Sequence, residues 1–234
     1  MRVLVFGKQF KEKDQPAVQE LFDALVAEGI DISVYSTYLA DIQEHIAVPA
    51  DAEVFEKFED FRAQRIDFVI VLGGDGTMLA AVTIVRHADV PMLGINLGRM
   101  GFLANIDKAH IRESIRKVAS NQFAIVERAM IYLESNPPIF GDMPFALNDC
   151  TLLKRDTSSM ITIHTYINGD YLNSYWADGI IISTPTGSTG YSLSCGGPVV
   201  FPGSGNFVIT PVAPHNLNVR PIVISEQSIV SFEI

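Results

Sequence analysis

Ile66-Asp67-Phe68-Val69-Ile70-Val71-Leu72-Gly73-Gly74-Asp75-Gly76-Thr77 is the stretch from which the architecture can be read. Its short, continuous apolar run predicts a strand buried on both faces, of the kind found in parallel sheets covered by helices. The glycines predict a tight turn. Met78, Leu79, Val82, Ile84 and Val85 then recur at the spacing of one apolar helix face. Strand, glycine turn and helix in that order form one repeat of an α/β layer.

The same pattern extends in both directions. Val3 to Phe6 predicts an opening strand. Pro16 sits where a first helical turn tolerates proline, Val18, Leu21, Phe22, Leu25 and Val26 follow at helical spacing, and Gly29 ends that helix. Ile30, Ile32 and Val34 alternate as a strand, Pro91 to Asn96 gives another, and Ile111, Ile115 and Val118 mark a further helix. Residues 1–120 therefore read as an α/β domain with a mostly parallel sheet. Beyond residue 121 the helical period disappears. Phe123 to Glu134 reads as a strand, and Met160 to Ile167 with Asp170 to Tyr175 reads as a hairpin turning at Asn168-Gly169. Residues 121–234 are expected to form an all-β domain. The alternating run Ile229, Val230, Phe232, Ile234 reaches the last residue without a turn, so the sheet is expected to be truncated at its C-terminus.

Composition narrows the possible partners. The chain has 234 residues, 48% of them apolar, which is enough to build a core. Seventeen Lys and Arg against 27 Asp and Glu give a net charge of −10, which argues against a nucleic-acid partner held by phosphate neutralisation. No apolar run reaches the ~20 residues needed to cross a bilayer, so no membrane partner is expected. With no secretion signal and only Cys150 and Cys195, a reducing cytoplasm is the expected location. The five histidines show no metal-ligand spacing, and no metal site is assigned.

Three constellations could carry chemistry. In Gly73-Gly74-Asp75-Gly76-Thr77, glycines let a ligand approach the backbone and a helix start favours negative charge, so the turn suits phosphates. Asp75 would repel a phosphate unless it serves a hydroxyl or a metal, which makes it a candidate base for phosphoryl transfer. The plain alternative is a turn in which Asp75 caps the helix. The second constellation, Ala177 to Ser194, opens from a buried strand into a loop dense in Ser, Thr and Gly. We read it as a set of groups offered to a sugar or phosphate in preference to a turn closed by local side-chain bonds. The third, Asn148-Asp149, reads by itself as a β-bulge or turn. Cys195, beside Gly196-Gly197, reads as a small buried residue and not as a nucleophile.

The glycine turn, Gly94-Ile95-Asn96-Leu97-Gly98-Arg99-Met100-Gly101-Phe102-Leu103, Asn148-Asp149, Asp178 through Pro198 and Thr210 to Leu217 occur in the order seen in NAD kinases, which the chain resembles over nearly its whole length. The resemblance implies transfer of the γ-phosphoryl group of ATP to the adenosine 2′-hydroxyl of NAD, with a divalent metal, magnesium, as cofactor. It makes Asp75 the catalytic carboxylate. It places Gly73, Gly74, Gly76, Thr77, Asn148, Asp149, Asp178, Thr189, Gly190, Tyr191, Ser192, Leu193 and Ser194 at the nucleotides, with Ser159 and Ala213 as further contacts. It also implies a homodimer or homotetramer. The sequence departs from the common pattern at Asp149, where Glu is usual, at Cys195, where Ala is usual, and at Ala80, where many members carry a basic residue. Two alternatives stay open at this point. One is a dinucleotide-binding fragment without catalysis. The other is a lipid kinase, since lipid kinases share the glycine turn.

Overall fold

The computed structural model describes residues 1–155 and 159–234, which fall into two compact units, Met1–Ile125 and Val126–Ile234.

The first unit is built on six parallel strands: β1 (Arg2–Gly7), β2 (Asp31–Tyr35), β3 (Glu53–Phe55), β4 (Phe68–Leu72), β5 (Met92–Asn96) and β6 (Ile106–Asp107). Their order across the sheet is β3-β2-β1-β4-β5-β6. Helices α1 (Gln15–Ala27), α2 (Ser36–Ile42), α3 (Asp60–Ala63) and α4 (Asp75–Val85) connect the first five, and α5 (Ile111–Ala119) follows β6. Strand periodicity separates two cores. Val3, Val5, Ile70 and Leu72 face α1, α2 and α5, represented by Leu21, Phe22, Tyr38 and Ile115. Leu4, Phe6, Val69 and Val71 face α3 and α4, represented by Phe61, Met78, Ala81 and Val85. Both faces of β4 are therefore buried, as its unbroken apolar run requires. On α4 the buried stripe is Met78, Ala81, Val82 and Val85, while Leu79 and Ile84 lie at its margins.

The chain moves outward from β1 in one direction and from β4 in the other. Their C-terminal ends thus flank the switch point of the sheet, where open α/β folds leave a crevice for ligands. The glycine turn leaves β4 at that edge.

The second unit opens with β7 (Ile131–Tyr132), β8 (Phe145–Ala146) and β9 (Asp149–Leu153). Strands β10 (Ile161–Ile167), β11 (Asp170–Ala177) and β12 (Gly179–Ser183) follow. After the short helix α6 (Tyr191–Ser194) come β13 (Asn206–Val212), β14 (Ile222–Ser225) and β15 (Val230–Glu233). The sheets run β11-β10-β15 and β14-β13-β12-β9, with β7 paired to β8. Ile163, Tyr175 and Ala177 from the first of these sheets share one core with Ile180, Ile182, Phe207 and Ile209 from the second. The β10–β11 hairpin turns at Asn168 and Gly169 with φ of 53° and 91°, the two left-handed residues of a type I′ turn.

One local expectation fails and another is narrowed. Phe123 to Glu134 is not one strand, since only Ile131 and Tyr132 join a ladder. The ends of this segment serve different cores: Phe123 packs edge-on against Phe68 in the first unit, and Ala129 joins the core of the second. Ile125 and Val126, between them, are exposed. Of the two forms expected at Asn148-Asp149, the bulge is absent and the chain bends instead. Asn148 lies in a bend and Asp149 starts β9, which pairs with β12 in unbroken register from Ser183↔Asp149 to Gly179↔Leu153.

Candidate active site

In the turn after β4, Gly74 precedes the helix and Asp75 is its first residue, with no side-chain cap at this end. The capping alternative for Asp75 is thereby excluded. Its carboxylate instead reaches across to the loop after β5. Oδ2 accepts the N–H of Phe102 at 2.8 Å, and Oδ1 accepts those of Leu103 at 2.9 Å and Ala104 at 3.1 Å. Burial pushes its pKa up, but the Leu103, Phe102 and Ala104 amides together outweigh that and hold the carboxyl below its ordinary range. The group is thus ionised at neutral pH. A carboxylate offers about four acceptor positions, so these bonds leave one on Oδ2 for another donor.

The loop itself is pinned by Asn96, a buried residue at the end of β5. Its Nδ2 donates to the carbonyls of Arg99 and Ala104, and its Oδ1 accepts the N–H of Gly98 at 2.6 Å. Gly101 lies against Asp75. A Cβ there would fall 2.6 Å from Oδ2 and closer still to Cγ and Oδ1.

The other glycines of the turn divide by role. Gly73 has φ of 151°, and a Cβ on it would collide with Thr77, so that position requires glycine for the fold. At Gly74 and Gly76 a Cβ would meet nothing within 4 Å. The space over those two residues is open, and first-turn amides of a helix have no partner within it, so an anion can approach the backbone there.

In the second unit, the hydroxyl-rich loop is turned largely inward. Ser183, Thr184, Ser188 and Ser192 are fully buried. Ser183 donates to the Thr184 carbonyl, Thr184 to the Leu147 carbonyl at 2.5 Å, and Ser188 to the Pro185 carbonyl at 2.7 Å. For Ser183 and Ser188 these are the local side-chain bonds of a closed turn, whereas Thr184 accepts the Gly187 N–H locally and donates to a carbonyl 37 residues away. The Ser192 hydroxyl pairs with that of Thr210 at 2.8 Å. What the segment presents outward is Gly190, Tyr191, Leu193 and Ser194, with Thr189 half-buried.

Packing ties this loop to the Asn148 bend. A Cβ on Gly187 would come within 2.7 Å of three Asn148 backbone atoms, and the Thr184 N–H donates to the Asn148 carbonyl at 2.9 Å. Asn148 and Asp149 are half-buried, and Asp149 accepts from the Thr151 hydroxyl at 2.9 Å. Asp178 is half-buried and ion-paired, with Lys154 Nζ 2.6 Å from Oδ1. Ala213 is exposed with φ of 45°, a left-handed conformation uncommon for a residue with a Cβ. Ser159 is exposed. Burial pushes the Cys195 thiol up despite a hydrogen bond with Tyr191, which keeps it protonated.

The sequence reading missed Lys154, Asn96 and the clamp on Asp75. Lys154 could have been found from strand pairing, because the Gly179↔Leu153 register sets residues 154 and 178 side by side. The clamp could not, because its donors are main-chain groups.

Comparison with known proteins bears on this arrangement. The profile of the ATP-NAD kinase N-terminal domain matches residues 3–123, and that of the ATP-NAD kinase C-terminal domain matches residues 147–234. The chain belongs to the NAD kinase family. An NAD kinase of Cytophaga hutchinsonii is 45% identical over 229 residues, 97% of this chain and 78% of that protein. One from Flavobacterium psychrophilum is 42% identical over 236 residues, 100% of this chain and 80% of that protein. Among solved structures, yeast NADH kinase complexed with NADH superposes with a TM-score of 0.86 at 25% identity, covering 100% of this chain and 72% of that one. An NAD kinase from Archaeoglobus fulgidus in complex with ATP gives 0.72 at 26% identity, covering 98% of this chain and 79% of that one. A parallel α/β unit followed by antiparallel sheets is therefore the NAD kinase fold, and the chain is a kinase.

Proposed function

We propose that Asp75 is the carboxylate through which this ATP-dependent NAD kinase makes NADP. It takes the proton of the adenosine 2′-hydroxyl as that oxygen bonds the γ-phosphorus of ATP and the bond to the departing ADP breaks. One observation carries this reading: an ionised carboxylate with one acceptor position left, first in a helix that starts beside the switch point of the sheet, next to open backbone at Gly74 and Gly76. In phosphoryl transfer a protein acts mainly by placing groups and balancing charge, and a strong base is not required for that.

In this reading the first unit holds the donor phosphates at the turn Gly73 to Thr77, on the amides of Gly74 and Gly76, while the Gly73 and Thr77 N–H groups, bonded to the Ile95 and Gly74 carbonyls, shape that turn. The second holds the dinucleotide through Asn148, Asp149, Asp178, Ala213, Ser159 and residues Thr189 to Ser194. The inward packing of Ser192 gives it the task of shaping the outward face of Tyr191, Leu193 and Ser194. Among the described residues no group of three ligating side chains is placed to cage a cation. A magnesium ion carried on the nucleotide phosphates would offset their charge. No described helix is long and apolar enough to cross a membrane. A cytoplasmic homodimer or homotetramer follows from family likeness.

The test is NADP formation from NAD, ATP and magnesium, with radiolabelled ATP offered to a sphingoid alcohol as the competing acceptor. Asp75→Asn is expected to lower kcat by roughly 10²–10⁴-fold, the range for loss of a general base, while calorimetry still detects NAD binding. Undiminished turnover would remove Asp75 from the mechanism.

A further inference from the structure

We propose that the loop Gly101–Ala104 is a positioning device for the phosphoryl transfer: its three amides fix the Asp75 carboxylate with one Oδ2 lone pair presented to the acceptor hydroxyl, and Gly101 is glycine to make room for it. The inference rests on Asp75 being the catalytic carboxylate and assigns work to a segment that touches neither reacting atom.

Three observations converge on it. Asp75 and its donors are 27 to 29 residues apart in sequence, so the contact is tertiary and not a cap or turn formed in passing. Bonds to Oδ1 from two sides and to Oδ2 from a third leave the carboxylate no free rotation about its last torsion. The Cβ that Gly101 lacks would overlap all three carboxylate atoms, and a carboxylate held by three hydrogen bonds cannot step aside without breaking them. Asn96 prevents the loop from yielding instead, since it binds Gly98 at one end and Ala104 at the other.

The chemical consequence concerns timing. Main-chain donors stabilise the ionised carboxylate, so Asp75 is a weak base and a fixed hydrogen-bond acceptor. It orients the alcohol O–H first. The proton crosses to Oδ2 only as the new O–P bond forms and the old one breaks, and it passes to water after ADP leaves. Placement then matters more than basicity, and a displacement of about 1 Å can cost on the order of 10²-fold in rate.

Gly101→Ala is therefore expected to lower kcat roughly 10²-fold, with the KM for NAD and for ATP changed by less than about twofold because neither binding surface is touched. Met100→Ala is the control next to the loop. Its side chain is 68% exposed and takes no part in the clamp, so its rate should match the parent. The decisive measurement is a double-mutant cycle with Asp75→Ala. With the carboxylate gone the clash is gone, so Gly101→Ala should cost nothing further in kcat and nothing in melting temperature. An equal loss from Gly101→Ala in both backgrounds, or none in the parent, overturns the clamp. If Asp75→Ala itself turns over normally, the catalytic reading fails instead. The melting-temperature half of the cycle then still reports whether the contact exists.

Discussion

Asp75 couples stability to pH in a definite direction. Its folded-state pKa lies below the unfolded value because, against the opposing effect of burial, the Leu103, Phe102 and Ala104 amides prefer the anion. A depressed carboxyl contributes stability that is fully present above its unfolded pKa of about 3.9 and is lost as pH falls through the lower folded value. Asp75→Asn keeps the shape but turns an amide NH₂ toward N–H donors, leaving at least one of them unsatisfied at every pH. The melting-temperature gap between parent and variant should thus be widest near pH 6–7 and narrow as pH drops below about 4. A gap that stays constant down to pH 3 would mean the amides gain nothing from the charge. Legibility at this scale was partial. The residue stood out because a carboxylate is foreign to a phosphate-binding glycine turn, but the groups that tune it are backbone amides of Phe102 to Ala104, which no side chain in the sequence marks.

Among the elements, β12 and the loop after it show how composition can mislead about direction. The density of Ser and Thr from Ser183 to Ser194 was visible, but not that Ser183, Thr184, Ser188 and Ser192 point inward while Tyr191, Leu193 and Ser194 point out. Hydroxyls that close backbone turns and hydroxyls that await a ligand have the same letters. Strand and helix identity were easier, since the unbroken apolar run of β4 and the 3.6-residue period of α1 and α5 follow from burial on two faces or one. Phe123 to Met130 broke that rule, because a segment shared between two cores cannot keep one register, and the short α2, β3 and α3 are too brief to show a period. The contact that sets the loop on its neighbour is Gly187 against Asn148. Gly187→Ala is expected to overpack it and destabilise the protein by about 1–3 kcal/mol, read as a lower denaturant midpoint. It should also raise the KM for NAD more than that for ATP, because the Asn148-Asp149 bend moves with the loop. A midpoint unchanged within error would show that the bend yields freely.

For the whole molecule, the sum of charge sets the terms on which substrates arrive. Seventeen basic against 27 acidic residues leave a net charge of −10, yet ATP and NAD are both anions. That balance does not favour a broad basic surface, and in the proposed reading capture depends on short-range donors: open amides at Gly74 and Gly76, and the Lys154–Asp178 pair, which returns no net charge. Short-range bonds are barely screened, whereas long-range repulsion is. Raising ionic strength from about 10 mM to about 150 mM shrinks the Debye length from ~30 Å to ~8 Å, which removes most of the repulsion and little of the attraction. At fixed free magnesium, kcat/KM for ATP should therefore rise over that interval, opposite to an enzyme that steers anions with a positive field. A several-fold fall would show that a local basic patch outweighs the net charge at the crevice. The lysines to mutate next would then be Lys8, Lys11 and Lys13, which follow β1 at the same edge of the sheet as the glycine turn.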